Sequence, residues 1–132
     1  MIVRNLNRGL VLGDRIRRAD TFRLRLLGLM FRPALAPGEG LWLEPCRQVH
    51  THFMRFPIDL LFLDREGRVL RVLASFPPWR ISPAVPGARA VLELPAGASG
   101  ETRPGDRLAV STEEDFWVFV GNTVADNPHK DG

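Results

Sequence analysis

The chain has 132 residues, 45% hydrophobic and 25% charged, with a formal net charge of +3. That is the size and composition of one domain with a single core, and it excludes a disordered or fibrous chain. No apolar run reaches the length of a membrane span, and one cysteine, Cys46, excludes an intrachain disulfide.

Charge is unevenly placed along the chain. Residues 1–32 hold eight Arg against Asp14 and Asp20, a net of +6; residues 33–100 come to +1; residues 101–132 hold seven acids against three bases, a net of −4. A basic first third raises nucleic acid or an anionic surface as partners. No recognised nucleic-acid motif accompanies it, and the aromatic residues do not interleave with basic ones as on a base-stacking platform. The simpler reading is a solvated Arg face, or one that pairs with the acidic C-terminal part, so nucleic acid is not expected. The opening residues MIVRNLNRGLVLGDRIRR are broken by Asn, Gly and Arg, unlike the uninterrupted apolar region of a signal peptide. With the lone thiol, this predicts a cytoplasmic location.

Met1 to Leu6 and Gly9 to Leu12 read as two short strands joined by an Asn7-Arg8-Gly9 turn. Gly13-Asp14 is a second turn, and Arg15-Ile16-Arg17 a third short strand. Asp20 or Thr21 would cap the next element. Phe22, Leu26, Leu29 and Met30 recur at helical spacing, although Phe22, Leu24 and Leu26 also alternate as a strand. The cap and Gly28 favour one short helix near residues 21–29, closed before Pro33. Leu41-Trp42-Leu43 is a strand stopped by Pro45.

The stretch from Cys46 to Asp64 is the longest run of strand-like composition. Read as extended chain, it puts His50, His52, Met54 and Phe56 on one face and Val49, Thr51, Phe53 and Arg55 on the other. Pro57 interrupts the ladder. Ile58 to Leu63 is then an almost wholly apolar strand, turned at Asp64-Arg65-Glu66-Gly67 into a return strand from Arg68 to Leu73. With three prolines in eight residues, Phe76 to Pro83 is a loop with aromatic anchors. Ala90 to Leu94 and Arg107 to Val110 are further strands, and Phe116 to Val120 is a last apolar run. Short strands at close spacing predict a mainly β fold, a small antiparallel sandwich or barrel. Residues 1–112 are expected to form one domain, and residues 113–132 an extension whose last ten or so residues are flexible.

Several separated motifs agree on a family. Arg25 to Arg32 (RLLGLMFR), Pro37 to Leu41 (PGEGL), His50 to Asp64 (HTHFMRFPIDLLFLD), Val91 to Gly97 (VLELPAG) and Pro104-Gly105-Asp106 occur in this order. Together they resemble the bacterial and archaeal family known as domain of unknown function 192, over roughly residues 8 to 110. The resemblance implies a compact β domain of jelly-roll or barrel-like form, and no established activity. It implies a lone cytoplasmic domain here rather than one behind a secretion signal. His52 departs from the pattern, which usually has an aromatic or small residue there.

Three chemistries are open to these residues. Cys46, His50 and His52 have a C-x3-H-x-H spacing, and two His at i, i+2 on a strand can reach one ion. Pro45 would turn Cys46 aside, and no acid completes the set. Cys46 could instead be a nucleophile with His50 as base, but no oxyanion-hole motif accompanies it. The third chemistry is a small-ligand pocket around His50, Thr51, Met54, Arg55 and Asp59, with Trp79 and Arg80 as an aromatic and cationic wall. Arg55 and Asp59 would pair across the Pro57 bend, with Arg55 reading a carboxylate or phosphate, or Asp59 would cap backbone amides. The leading expectation is a non-catalytic binding or accessory module with no cofactor, taking a small ligand or a protein partner. The alternative is a metalloprotein or thiol enzyme using Cys46, His50 and His52.

Overall fold

The computed structural model describes residues 1–19 and 32–112, and the backbone of 118–119. The fold is mainly β, as expected, with no helix among the described residues. The helix expected near residues 21–29 lies outside them.

The strands are β1 (Ile2–Asn5), β2 (Leu10–Gly13), β3 (Arg15–Ala19), β4 (Glu39–Leu43), β5 (Ile58–Leu63), β6 (Val69–Phe76), β7 (Ala90–Pro95), β8 (Leu108–Ser111) and β9 (Val118–Phe119). They form a four-stranded sheet in the order β2-β1-β8-β9 and a five-stranded sheet in the order β3-β4-β7-β5-β6. Pairing is antiparallel except between β3 and β4, which run parallel. β9 comes from the segment read as an extension and pairs with β8 through Ala109↔Phe119 and Val110↔Val118.

The predicted hairpin is present as β5 and β6. Asp64 closes it: its Oδ1 accepts from the amides of Glu66 and Arg68, each at 2.9 Å. Gly67 takes φ 82°, the left-handed conformation such a turn needs and a side chain resists. The return strand runs to Phe76, beyond the predicted Leu73.

Apolar residues cover both faces of the five-stranded sheet. Ile58, Leu60 and Phe62 of β5 lie with Leu41, Leu43 and Val91 under Leu35, Cys46, Val49, Met54 and Val85, which come from loops. Leu61 and Leu63 face the other way, with Leu92 and Leu94, against Val3, Leu12 and Leu108. This explains why β5 reads as a continuous apolar run rather than an alternating one. Each fully buried Leu or Phe contributes about 1.5–3 kcal/mol relative to exposure.

The chain passes from one sheet to the other at Gly13-Asp14. A Cβ on Gly13 would lie 2.5 Å from Ile16 Cδ1, and one on Gly40 would lie 2.7 Å from the Glu93 carbonyl oxygen. A side chain at either position would press on Ile16, and at Gly40 on backbone as well, so glycine at both lets Ile16 sit where the sheets meet.

A buried polar network ties the ends of the four-stranded sheet. Asn5 Nδ2 donates to Thr102 Oγ1 and to Asp106 Oδ2, both at 2.9 Å, and Arg8 Nε donates to Asp106 Oδ2 at 2.8 Å. Burial alone would raise the Asp106 pKa. The hydrogen bonds from Asn5, Arg8 and the Arg103 amide, with the charge of Arg8, outweigh it and hold the carboxyl below its usual value.

Cys46 to Pro57 does not form the strand expected of it. Burial alternates from Val49 to His52, with Val49 and Thr51 inside, then reverses: Phe53 is exposed and Met54 buried. The reversal occurs where Phe53 adopts φ 67°, a left-handed conformation that breaks a regular ladder. What remains of the ladder is one bridge, His50↔Ile81. The segment is therefore a loop lying on the five-stranded sheet.

Candidate functional site

Thr51 organises this loop. It is fully buried, its amide donates to the Arg80 carbonyl at 2.8 Å, and its carbonyl accepts from the amides of Trp79 (2.9 Å) and Met54 (3.2 Å). Its hydroxyl donates to the Pro77 carbonyl at 2.7 Å and accepts from the Arg80 amide at 3.0 Å. One side chain and its own peptide groups thus clamp residues 50–54 against the Pro-rich loop.

The clamp turns rings outward. Phe53 is 44% exposed, Trp79 57% and Ile81 63%. Phe53 and Trp79 lie with ring centres 4.8 Å apart, and Trp79 meets His52 nearly edge-on, at 5.9 Å and 68°. His50 and His52 have ring centres 5.1 Å apart. Trp79 also adopts a left-handed backbone, with φ 61°. Holding non-glycine residues there costs about 1–2 kcal/mol each, so the surrounding bonds impose this presentation. Desolvation, then the neighbouring His52, pushes the His50 pKa below its ordinary value, which leaves its imidazole neutral at pH 7.

The candidate residues divide into two groups. His50, Arg55, Trp79 and Arg80 reach solvent; Thr51, Met54 and Asp59 are buried, Asp59 on the opposite face of the five-stranded sheet from Met54. Neither Arg55 nor Arg80 has an ion-pair partner among the described residues. Arg55 does not pair with Asp59. Asp59 is fully buried; its Oδ1 accepts from the Ser75 amide at 2.8 Å, and its Oδ2 from the amides of Gly97 (3.1 Å) and Ser99 (3.0 Å) and the Ser99 hydroxyl (2.5 Å). It caps backbone amides, as one reading of the sequence had it, although their owners lie far along the chain.

Cys46 does not join the two imidazoles in a three-ligand group, and among the described residues no three His, Cys, Asp or Glu side chains are placed to hold a metal ion. Its buried Sγ donates to the Gln48 carbonyl at 3.2 Å. It lines a shallow cleft of about 380 Å³ with Pro45, Arg47, Gln48, Ala88 and Arg89.

Sequence reasoning did not single out Phe53 or Ile81, which the structure leaves exposed beside the candidate residues. Regular alternation puts Phe53 on the Thr51 face, and only the positive φ brings it out. Nothing local announces that angle.

Among the described residues, three of the six arginines of the first third form close bonds to carboxylates. Arg8 bonds Asp106, Arg18 bonds Glu44 at 2.8 Å, and Arg32 bonds Glu39 at 3.0 Å. No helix among the described residues is long and apolar enough to cross a membrane.

Comparisons with known proteins agree with this β architecture. The chain is 38% identical to a UPF0127 protein of Pyrococcus horikoshii over 113 residues, 82% of this chain and 96% of that protein. It is 36% identical to a UPF0127 protein of Pyrococcus furiosus, over 79% of this chain and 93% of that one. Among solved structures, a protein of unknown function from Novosphingobium aromaticivorans superposes with a TM-score of 0.69 at 28% identity, covering 81% of each chain. A putative transcription regulator from Sinorhizobium meliloti gives 0.68 at 26%, covering 81% of this chain and 88% of that one. The family model DUF192, described as an uncharacterized ACR, matches residues 5–110, and the chain belongs to that family.

Proposed function

We propose that the chain is a non-catalytic binding module, and that its recognition surface is the ridge formed by residues 50–55 and 79–81. The ligand is small and anionic and carries a flat ring or an apolar part. The observation that carries this reading is the Phe53–Trp79 pair, held outward by two left-handed backbones and the Thr51 clamp. Two exposed rings fixed at low entropy are a stacking surface made before the ligand arrives. The charge follows from the same loops. Residues 45–58 and 74–92 carry Arg47, Arg55, Arg80 and Arg89 and no acid. The Arg55 and Arg80 guanidinium groups, which have no ion-pair partner among the described residues, can read a carboxylate or phosphate bidentately. Thr51 and Met54 serve the site from beneath, as its support, whereas Asp59 bonds Ser75, Gly97 and Ser99 and serves the fold.

Nucleic acid is the less favoured partner. The pairing of Arg8, Arg18 and Arg32 with carboxylates breaks up the free basic stripe that a phosphate backbone requires. The working unit is residues 1–112 with β9 added at the edge of its four-stranded sheet, and its compartment is the cytoplasm, in keeping with a single buried thiol.

The test is a low-salt screen by thermal shift and tryptophan emission, with aromatic carboxylates in one arm and nucleoside monophosphates in the other. One arm should stabilise the protein, with binding lost in Trp79→Ala and weakened about tenfold or more in Arg80→Ala. Arg65→Ala, in the distant β5–β6 turn, should bind normally. Binding indifferent to both Trp79 and Arg80 would overturn the assignment.

A further inference from the structure

We propose that His50 and His52 form a two-imidazole site for a borderline divalent transition ion such as zinc or nickel. This goes beyond the ligand reading and does not depend on it.

Three observations carry it. The ring centres are 5.1 Å apart. With a metal–nitrogen bond of about 2.0–2.1 Å and the ring centre about 1.2 Å behind the nitrogen, two imidazoles on one tetrahedral ion have centres roughly 5.2 Å apart. Second, neither imidazole has a hydrogen-bond partner among the described residues. Their nitrogens are not spent on the fold, unlike those of a structural histidine. Third, the spacing is fixed. Thr51 lies between them, fully buried and bonded through amide, carbonyl and hydroxyl. The edge of Trp79 buttresses the His52 ring. A pre-set pair loses little freedom on closing around an ion. Two protein ligands leave the remaining positions to water or to an anion, on the surface where Arg55 and Arg80 also stand. Imidazole selects zinc, copper or nickel over magnesium or calcium.

The experiment uses the full chain, freed of any affinity tag. ZnCl2 is titrated calorimetrically into wild type, His50→Gln, His52→Gln and His129→Ala, with thermal melts confirming that each variant folds. One ion per chain is expected, weakened at least tenfold in each of the first two variants and unchanged in the third. NiCl2, a paramagnetic quencher, should lower tryptophan emission in wild type and lose that effect in His50→Gln and His52→Gln. Absence of stoichiometric binding, or binding that survives His50→Gln and His52→Gln, would overturn the site. Nickel quenching that persists in both histidine variants would also overturn it, because the ion would then lie elsewhere.

Discussion

One carboxylate oxygen of Asp59 accepts two hydrogen bonds from Ser99, from its amide at 3.0 Å and its hydroxyl at 2.5 Å, across forty residues of sequence. The other oxygen takes the amide of Ser75, where β6 bulges against β5 between the pairs Ile58↔Phe76 and Leu60↔Leu73. Ser75 has φ 50° there. The carboxylate receives the amide that the bulge removes from the ladder.

Asp59→Ala would leave these donors buried without an acceptor. We expect a loss of about 3 kcal/mol or more, read from urea unfolding. Ser99→Ala, which removes one donor and leaves the others bonded, should cost about 1–2 kcal/mol. A neutral Asp59→Ala would show that the clip does not hold the fold.

Thr51→Val keeps the shape and removes the hydroxyl bonds to Pro77 and Arg80. The expected loss is about 1–3 kcal/mol. Hydrogen exchange should quicken at the Trp79 and Arg80 amides while β5 stays protected. Equal loosening everywhere would mean that the clamp is not local.

Phe53→Gly should leave stability within about 1 kcal/mol of wild type. Glycine relieves the positive φ but gains freedom in the unfolded chain, and the two effects nearly cancel. Ligand binding should nonetheless weaken. A large fall in the melting temperature would make Phe53 a core residue instead.

Asp106 predicts an acid limb. Its folded pKa lies below the unfolded value, so the native state binds the proton less readily. The resulting stability is complete above the unfolded value and is lost as pH falls through the folded one. Urea midpoints at about pH 7, 4 and 3 should therefore fall toward acid. Asp106→Asn should be less stable near neutrality and show a shallower decline.

Gly40→Ala forces a methyl group toward the Glu93 carbonyl oxygen and Ile16. Overpacking of this kind costs about 1–3 kcal/mol. Pairing Gly40→Ala with Ile16→Val should not recover the loss, because the Glu93 backbone cannot withdraw as a side chain can.

The strand content was legible where one residue decided the matter locally. Gly67 marked the β5–β6 hairpin, and the prolines marked the loop after Phe76. The sheet order was not, because β7 lies between β4 and β5 through pairings made at long range. The family resemblance was legible in motifs such as VLELPAG, whose β7 strand runs through the centre of that sheet. The site was half legible. Its polar members stood out against apolar neighbours, but the partners of Asp59 lie 16 to 40 positions away, and the outward turn of Phe53 depends on a backbone angle with no side-chain signature.

β5 is buried along its whole length and β7 nearly so, which divides the labour of the molecule. Neither strand has a surface left on which recognition could be written. The two short loops of the proposed recognition ridge can change without rebuilding the frame below. A designer grafting a new ligand onto this scaffold would change Phe53, Arg55, Trp79 and Arg80, and would keep Thr51 and Asp59 as fixtures.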